Sequence, residues 1–133
     1  MYLLDTNILI FAVRHPDGAC AKQLSEHVGK DVYISVVTYS ELLYGVLHSS
    51  YPEKNRRALN MILAGIPILD FDLSAGEEYG MILSELAIKK IDRNQNVRDH
   101  MIAAHARAKS FTLITDNIKD FQDIDGLQIE NWS

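Results

Sequence analysis

At 133 residues with 47% apolar side chains, the chain suits one compact domain with a sizeable core and is too apolar for a disordered one. A formal net charge of −5 excludes a uniformly basic nucleic-acid wrapper, and the single cysteine, Cys20, excludes an internal disulfide framework or a Cys-rich zinc site. No stretch approaches the roughly 20 apolar residues of a membrane span, and no signal-type segment opens the sequence, so a cytoplasmic protein without membrane attachment is expected.

Tyr2 to Leu4 reads as a short buried strand that runs into Asp5 and then into a helix starting near Thr6. Ile8, Leu9, Phe11, Ala12 and Val13 are too apolar for an exposed helix, and His15-Pro16-Asp17-Gly18 breaks it. A second helix is expected over Ala19–Val28 and a second strand over Val32–Val36, where β-branched and aromatic residues cluster. Helices follow over Thr38–His48 and from Pro52 to Gly65, then a third strand, Ile66–Leu69, ending at Asp70. Ser74-Ala75-Gly76-Glu77 has the form of a capping box and opens a long helix through about Ile91. The polar run Asp92–Asn96 reads as an exposed loop. An alanine-rich helix follows Asp99, a fourth strand covers Phe111–Ile114, and a last extended piece covers Leu127–Ile129. Strands alternating with helices in this way predict one α/β domain over 1–133, a mainly parallel sheet with helices on both faces.

Four acids fall at strand ends or early in helices: Asp5, Glu41, Asp99 and Asp116. Each also has a purely structural reading. Asp5 and Asp99 are good helix caps, Thr38-Tyr39-Ser40-Glu41 matches a capping box, and Asp116 suits a turn. Asp70 ends a strand too, but Asp70-Phe71-Asp72 looks like a turn. As a set the four mean more. In a parallel sheet, ligands bind outside the carboxyl ends of the strands, and all four acids can reach that edge. Carboxylates a few Å apart repel by a few kcal/mol per pair at an effective dielectric of about 20, so a fold that gathers them needs a counter-charge. Oxygen-only ligands suit Mg2+ or Mn2+, which keep waters and bind phosphate oxygens. That chemistry points to a metal-dependent nuclease. His105 lies on a different helix face from Asp99 and is expected to pack, and His100 is a weaker candidate for substrate contact. No Gly-rich phosphate loop, H-E-x-x-H pair or G-x-S-x-G elbow occurs, and Asp5-Thr6-Asn7 is not the Asp-x-Asp of a phosphatase.

Leu4-Asp5-Thr6-Asn7, Ser40-Glu41-Leu42-Leu43-Tyr44-Gly45, Asp99-His100-Met101-Ile102-Ala103-Ala104 and Leu113-Ile114-Thr115-Asp116-Asn117 occur in the order and spacing of PIN-domain ribonucleases. The chain resembles most the VapC toxins of type II toxin–antitoxin pairs, through Asp120-Phe121 to Trp132. The resemblance implies a Mg2+- or Mn2+-dependent endoribonuclease, with Asp5 and Asp99 as principal metal ligands and Glu41 helping to orient the attacking water. Asp116 is expected as the fourth acid, beside Asn117, which matches the family's T-x-D/N pattern. Thr6, Asn117, Lys89, Lys90 and Arg93 are the expected substrate contacts. The implied substrate is structured RNA, a tRNA anticodon stem–loop and the initiator tRNA in particular. The implied partner is a VapB-like antitoxin on a toxin homodimer, in a higher-order complex. The alternative reading is a PIN-like domain without cleavage that binds RNA or protein. Ile91–Arg98 departs from the family in lacking a glycine, and it sets Arg98 beside Asp99.

Overall fold

In the computed structural model, which describes residues 1–133, Tyr2–Leu4 forms β1 and lies at the centre of a five-stranded sheet. Its neighbours are β2 (Val32–Ser35) and β4 (Thr112–Ile114), with β3 (Ile68–Leu69) and β5 (Ile129–Glu130) at the edges, in the order β3-β2-β1-β4-β5. Every pairing is parallel, as βαβ crossovers require. Period-two alternation sends Leu4 and Ile114 to one face and Leu3 and Leu113 to the other. The first face is covered by α1 (Thr6–Arg14), α2 (Ala19–His27) and α4 (Pro52–Ile62), through Ile8, Leu9, Cys20 and Leu59. The second is covered by α5 (Leu73–Ile88) and α6 (Val97–Lys109), through Ile82, Leu86 and Ile102. Ala103, Ala104 and Ala106 are fully buried, and their small side chains let α6 lie close against α5 and the sheet. No helix is long and apolar enough to cross a membrane.

Strand order fixes where a site can form. The chain steps from β1 outward to β2 and β3, then crosses to β4 and β5 on the other side of β1. The crevice at the carboxyl ends of β1 and β4 is therefore the topological switch point, the usual ligand position in open parallel sheets. Asp5 leaves β1 and Thr115-Asp116 leaves β4 there, joined by the Asp5 N–H donating to Ile114 O at 2.9 Å.

Several helix starts differ from the sequence expectation. The helix α3 runs Val36–Leu47, with the Ser35 hydroxyl accepting from the Val37 N–H at 3.1 Å. Thr38 is thus buried inside the helix and is no cap, and Glu41 falls in the second turn, not the first. Likewise α5 is capped by Asp72, which accepts from the Ala75 N–H at 3.0 Å, so Ser74-x-x-Glu77 is not its capping box. An S/T-x-x-E pattern arises by chance wherever Ser and Glu are common, and a better acceptor just upstream wins. The third strand shrinks to Ile68–Leu69 because Ile66 turns into the core and Gly65, at φ +84°, makes the turn out of α4. A Cβ at Gly65 would meet Val28 Cγ1 at 3.0 Å. The helix α5 stops at Ile88, short of Ile91, where Lys90 takes a left-handed φ of 61°.

Two side chains fasten the second layer. The Arg107 guanidinium donates to Glu78 Oε1 at 2.6 Å, Glu85 Oε2 at 3.0 Å and the Asp125 carbonyl at 2.9 Å, tying α6 to α5 and to the C-terminal loop. Arg107→Ala leaves two carboxylates facing each other, one of them partly hydrated, and is expected to cost about 2 kcal/mol. A urea midpoint equal to that of the native chain would contradict this. His105 Nδ1 lies 2.8 Å from Ser35 Oγ, and burial lowers its pKa, so the ring is neutral and pins α6 to the end of β2.

Candidate active site

Asp5 is the most buried acid of the chain. Its Oδ1 accepts from the Thr6 N–H and its Oδ2 from the Thr115 hydroxyl, each at 2.8 Å. Both favour the charged form, yet burial outweighs them, and the charges of Asp116 and Asp120 add to the effect, so the pKa is raised. Asp99 stands in the first turn of α6, where a helix N-terminus ordinarily favours an anion. Its pKa is nonetheless pushed up to about 6, first by burial and then by the charges of Asp5, Asp120 and Glu41. Glu41 reaches the same crevice from α3, and its pKa is raised by burial and by Asp5. Arg98 opposes this from 3.9 Å, and the Thr6 hydroxyl favours the charged form without reaching normal hydrogen-bond geometry.

The structure thus brings three of the expected acids together, and a fourth that the sequence reading left out. Asp120 acts on both Asp5 and Asp99. A single 3-10 turn, Ile118–Phe121, carries it, and Phe121 is buried in the α5–α6 core, which turns the preceding residue back over the crevice. The Asn117 amide donates to Asp120 Oδ2, while the Asn117 N–H donates to Thr115 Oγ1 at 3.0 Å. Asp116, expected as the fourth acid, is exposed at the margin, where its charge reaches Asp5 but is not among those acting on Asp99. The Asp120-Phe121 pair was the available signal: an acid preceding a large apolar residue in a one-turn helix.

Four carboxylates face one another, and the single cation close to them is Arg98, itself 67% exposed. An all-oxygen donor set with this excess charge has the chemistry of a divalent-cation site, which Asp5 and Asp99 would hold. No group of three or more His, Cys, Asp or Glu side chains is placed closely enough to hold a metal ion by itself.

Comparison with known proteins fits this geometry. Residues 2–127 match the PIN domain family. The chain is 36% identical over 132 residues to the tRNA(fMet)-specific endonuclease VapC of Shigella flexneri, covering 99% of this chain and 98% of that protein. It is 37% identical over 133 residues to ribonuclease VapC2 of Rickettsia felis, with the same coverage. The chain belongs to the VapC ribonuclease family of PIN domains. Among solved structures, VapBC2 of Rickettsia felis bound to a DNA fragment from its promoter superposes with a TM-score of 0.89 at 34% identity, over 99% of this chain and 98% of that one. DNA-bound VapBC of Salmonella typhimurium gives 0.90 at 31% identity with the same coverage.

Within this PIN fold the remaining expected residues divide. Thr6 opens α1 and its buried hydroxyl faces Glu41. Lys89 is committed elsewhere: its ammonium lies 3.0 Å from Asp125 Oδ2 and donates to the Asp123 carbonyl at 2.9 Å. That contact, not free exposure, is its role in the fold. Lys90 and Arg93 are exposed on the loop before α6. His100 is buried beside Asp99, and burial lowers its pKa. Next to the acids, a groove of about 380 Å3 between α1, α3 and α4 is lined by Ile10, Val13, Leu42 and Val46, and it ends at Thr6 and Glu41. Val13, expected in the core, is 51% exposed on its wall.

Proposed function

We propose that the protein is the toxin of a type II toxin–antitoxin pair and a Mg2+- or Mn2+-dependent endoribonuclease acting on structured RNA. The convergence of Asp5, Glu41, Asp99 and Asp120 on the β1/β4 switch point carries this reading. Asp5 and Asp99 would hold the divalent ion, which when bound would supply a water of lowered pKa and offset charge on the phosphodiester. Thr115 and the Thr6 N–H fix the Asp5 carboxylate in one orientation. Glu41 orients the attacking water, with Arg98 and the Thr6 hydroxyl favouring its charged form against burial and Asp5. Asp116 and Asp120 add negative field at the opposite side. Initiator tRNA is the substrate that the Shigella flexneri relative's name supports, and its anticodon stem–loop is the proposed place of cleavage.

A VapB-like antitoxin is the partner, as the VapBC complexes of relatives support. The apolar groove between α1, α3 and α4 suits an amphipathic segment of it, and its end at Glu41 would put that segment over the acids. A homodimer of toxins within a larger complex is the expected assembly.

Purified protein with Mg2+ or Mn2+ is expected to cut total bacterial RNA to a discrete tRNA product, and EDTA to prevent it. Intact RNA with folded, antitoxin-free protein would favour a binding module without cleavage. Lys90→Glu and Arg93→Glu are expected to weaken RNA binding and flatten its salt dependence, because each removes a phosphate contact. Lys89→Glu should lower stability instead, by breaking the Asp125 contact. Unchanged RNA binding at low salt in the first two would remove their role.

A further inference from the structure

Beside the carboxylates opens a second cavity of about 400 Å3, lined by Asn94, Asn96, Val97 and Arg98 together with Glu41 and Asp99. Its volume falls within the roughly 300–1,000 Å3 of small-ligand clefts, but its lining is almost wholly polar. The loop that forms it is held in shape. The Asn94 N–H donates to Asp92 Oδ1 at 2.9 Å, and the Asn96 carbonyl accepts from the His100 N–H at 2.9 Å. Asn96 sits in the left-handed region at φ 56°, ψ 36°, immediately before α6, and its side chain makes no capping hydrogen bond. Asparagine is the residue after glycine that tolerates this conformation best, so the backbone needs no more than that of it. The amide is left over. Arg98 is two-thirds exposed, and its ion pair with Glu41 is long, at 3.9 Å.

We propose that this cavity holds the RNA nucleotide adjacent to the bond that is cut, with Arg98 on its phosphate and the Asn94 and Asn96 amides on its base edge. The inference rests on the nuclease reading and names a subsite within it. An RNA strand crossing the Asp5–Asp99 pair must set down a neighbouring nucleotide, and this cavity shares Glu41 and Asp99 with that pair. Its two carboxylates repel a phosphate unless a cation offsets them, and Arg98 is the cation placed to do so. An asparagine amide offers two donors and one acceptor, which match base edges such as adenine N6 and N7, and RNA bases are read when splayed from the stack. The loop from Asn94 to Arg98 therefore sets base preference at one position.

The test uses the Asp5→Asn protein in EDTA, which cannot cleave and whose altered residue lies outside the cavity. A randomised RNA pool is bound and the retained fraction sequenced. Affinity for one retained RNA is then followed against salt by fluorescence anisotropy. Arg98→Ala is expected to weaken binding about fivefold across sequences and to lower the salt slope by about 0.7, one single-strand phosphate contact. Asn94→Ala, and Asn96→Gly, which keeps the left-handed backbone, should leave the slope alone and reduce base preference at one position about tenfold. Unchanged preference in both asparagine variants, an unchanged slope in Arg98→Ala, or a retained pool with no preference at any position overturns the subsite. If Asp5→Asn retains no RNA either in EDTA or with Mg2+, the nuclease reading falls and the subsite with it.

Discussion

Asp99→Asn is expected to abolish RNA cleavage, by at least about a thousandfold, and to leave the protein more stable than the native chain at pH 7. The activity loss follows from removing a carboxylate that would hold the divalent ion, and several kcal/mol of transition-state stabilisation go with it. The stability gain has a separate cause. With its pKa pushed up to about 6 by burial and three neighbouring acids, Asp99 is charged at pH 7 against an opposing field. An amide of the same shape fills the space without that field. Allowing for its partial hydration, and for a lost attraction to Arg98, the gain is on the order of 1–2 kcal/mol. Asp5→Asn should behave alike in activity but gain less, because its carboxylate accepts two hydrogen bonds that an amide satisfies only in part. Urea melts in EDTA and cleavage assays on the same preparations decide it. An inactive Asp99→Asn protein no more stable than the native chain would mean that Arg98 already compensates the charge.

This trade between stability and function also explains what the sequence made legible. Strand β1 and the acid that leaves it were readable because burial pattern, helix start and acid coincide within Tyr2–Thr6. Glu41 and Asp99 were readable as candidates through motif spacing, although both have ordinary structural explanations. Caps were misread at α3 and α5 because Ser35 and Asp72 lie just outside the patterns that drew attention. The role of Asp120 depends on how Phe121 is anchored against α5 and α6, a packing relation between elements far apart in the chain. The same holds for Lys89, whose partner Asp125 lies in the C-terminal loop. Local pattern finds residues that act where their own element ends. It does not find those placed by a distant core.

In the absence of divalent ions, the three site acids are expected to stabilise the fold as pH falls from 7 to about 4, the reverse of usual acid behaviour. Buried His100 and His105, whose pKa values are lowered, act against them. Asp99, Asp5 and Glu41 all have pKa values raised in the folded state, Asp99 to about 6 from an ordinary 3.8. Between those values the folded protein holds a proton that the unfolded chain has released. Stability rises with pH only where the unfolded state binds more protons, so the contribution of these acids must fall as pH rises. For Asp99 the change is on the order of 2 kcal/mol across that window, with Asp5 and Glu41 acting in the same direction. Below about pH 4 the unfolded chain takes up the same protons and the gain is complete. Asp72, whose pKa is lowered by the Ala75 N–H, then works the other way, its contribution being lost as acid protonates it. Measured against Asp99→Asn, which keeps both histidines, the metal-free native chain should thus gain stability from pH 7 down to about pH 4. Mg2+ or Mn2+ at a hundred times its dissociation constant should add about 2.7 kcal/mol at pH 7. That increment should shrink toward pH 5, because the ion and the protons compete for the same carboxylates. Thermal melts across pH, with and without the ion, measure both effects. A metal-free profile parallel to that of Asp99→Asn would show that the Asp99 pKa is not raised, and an increment independent of pH would place the ion elsewhere on the surface.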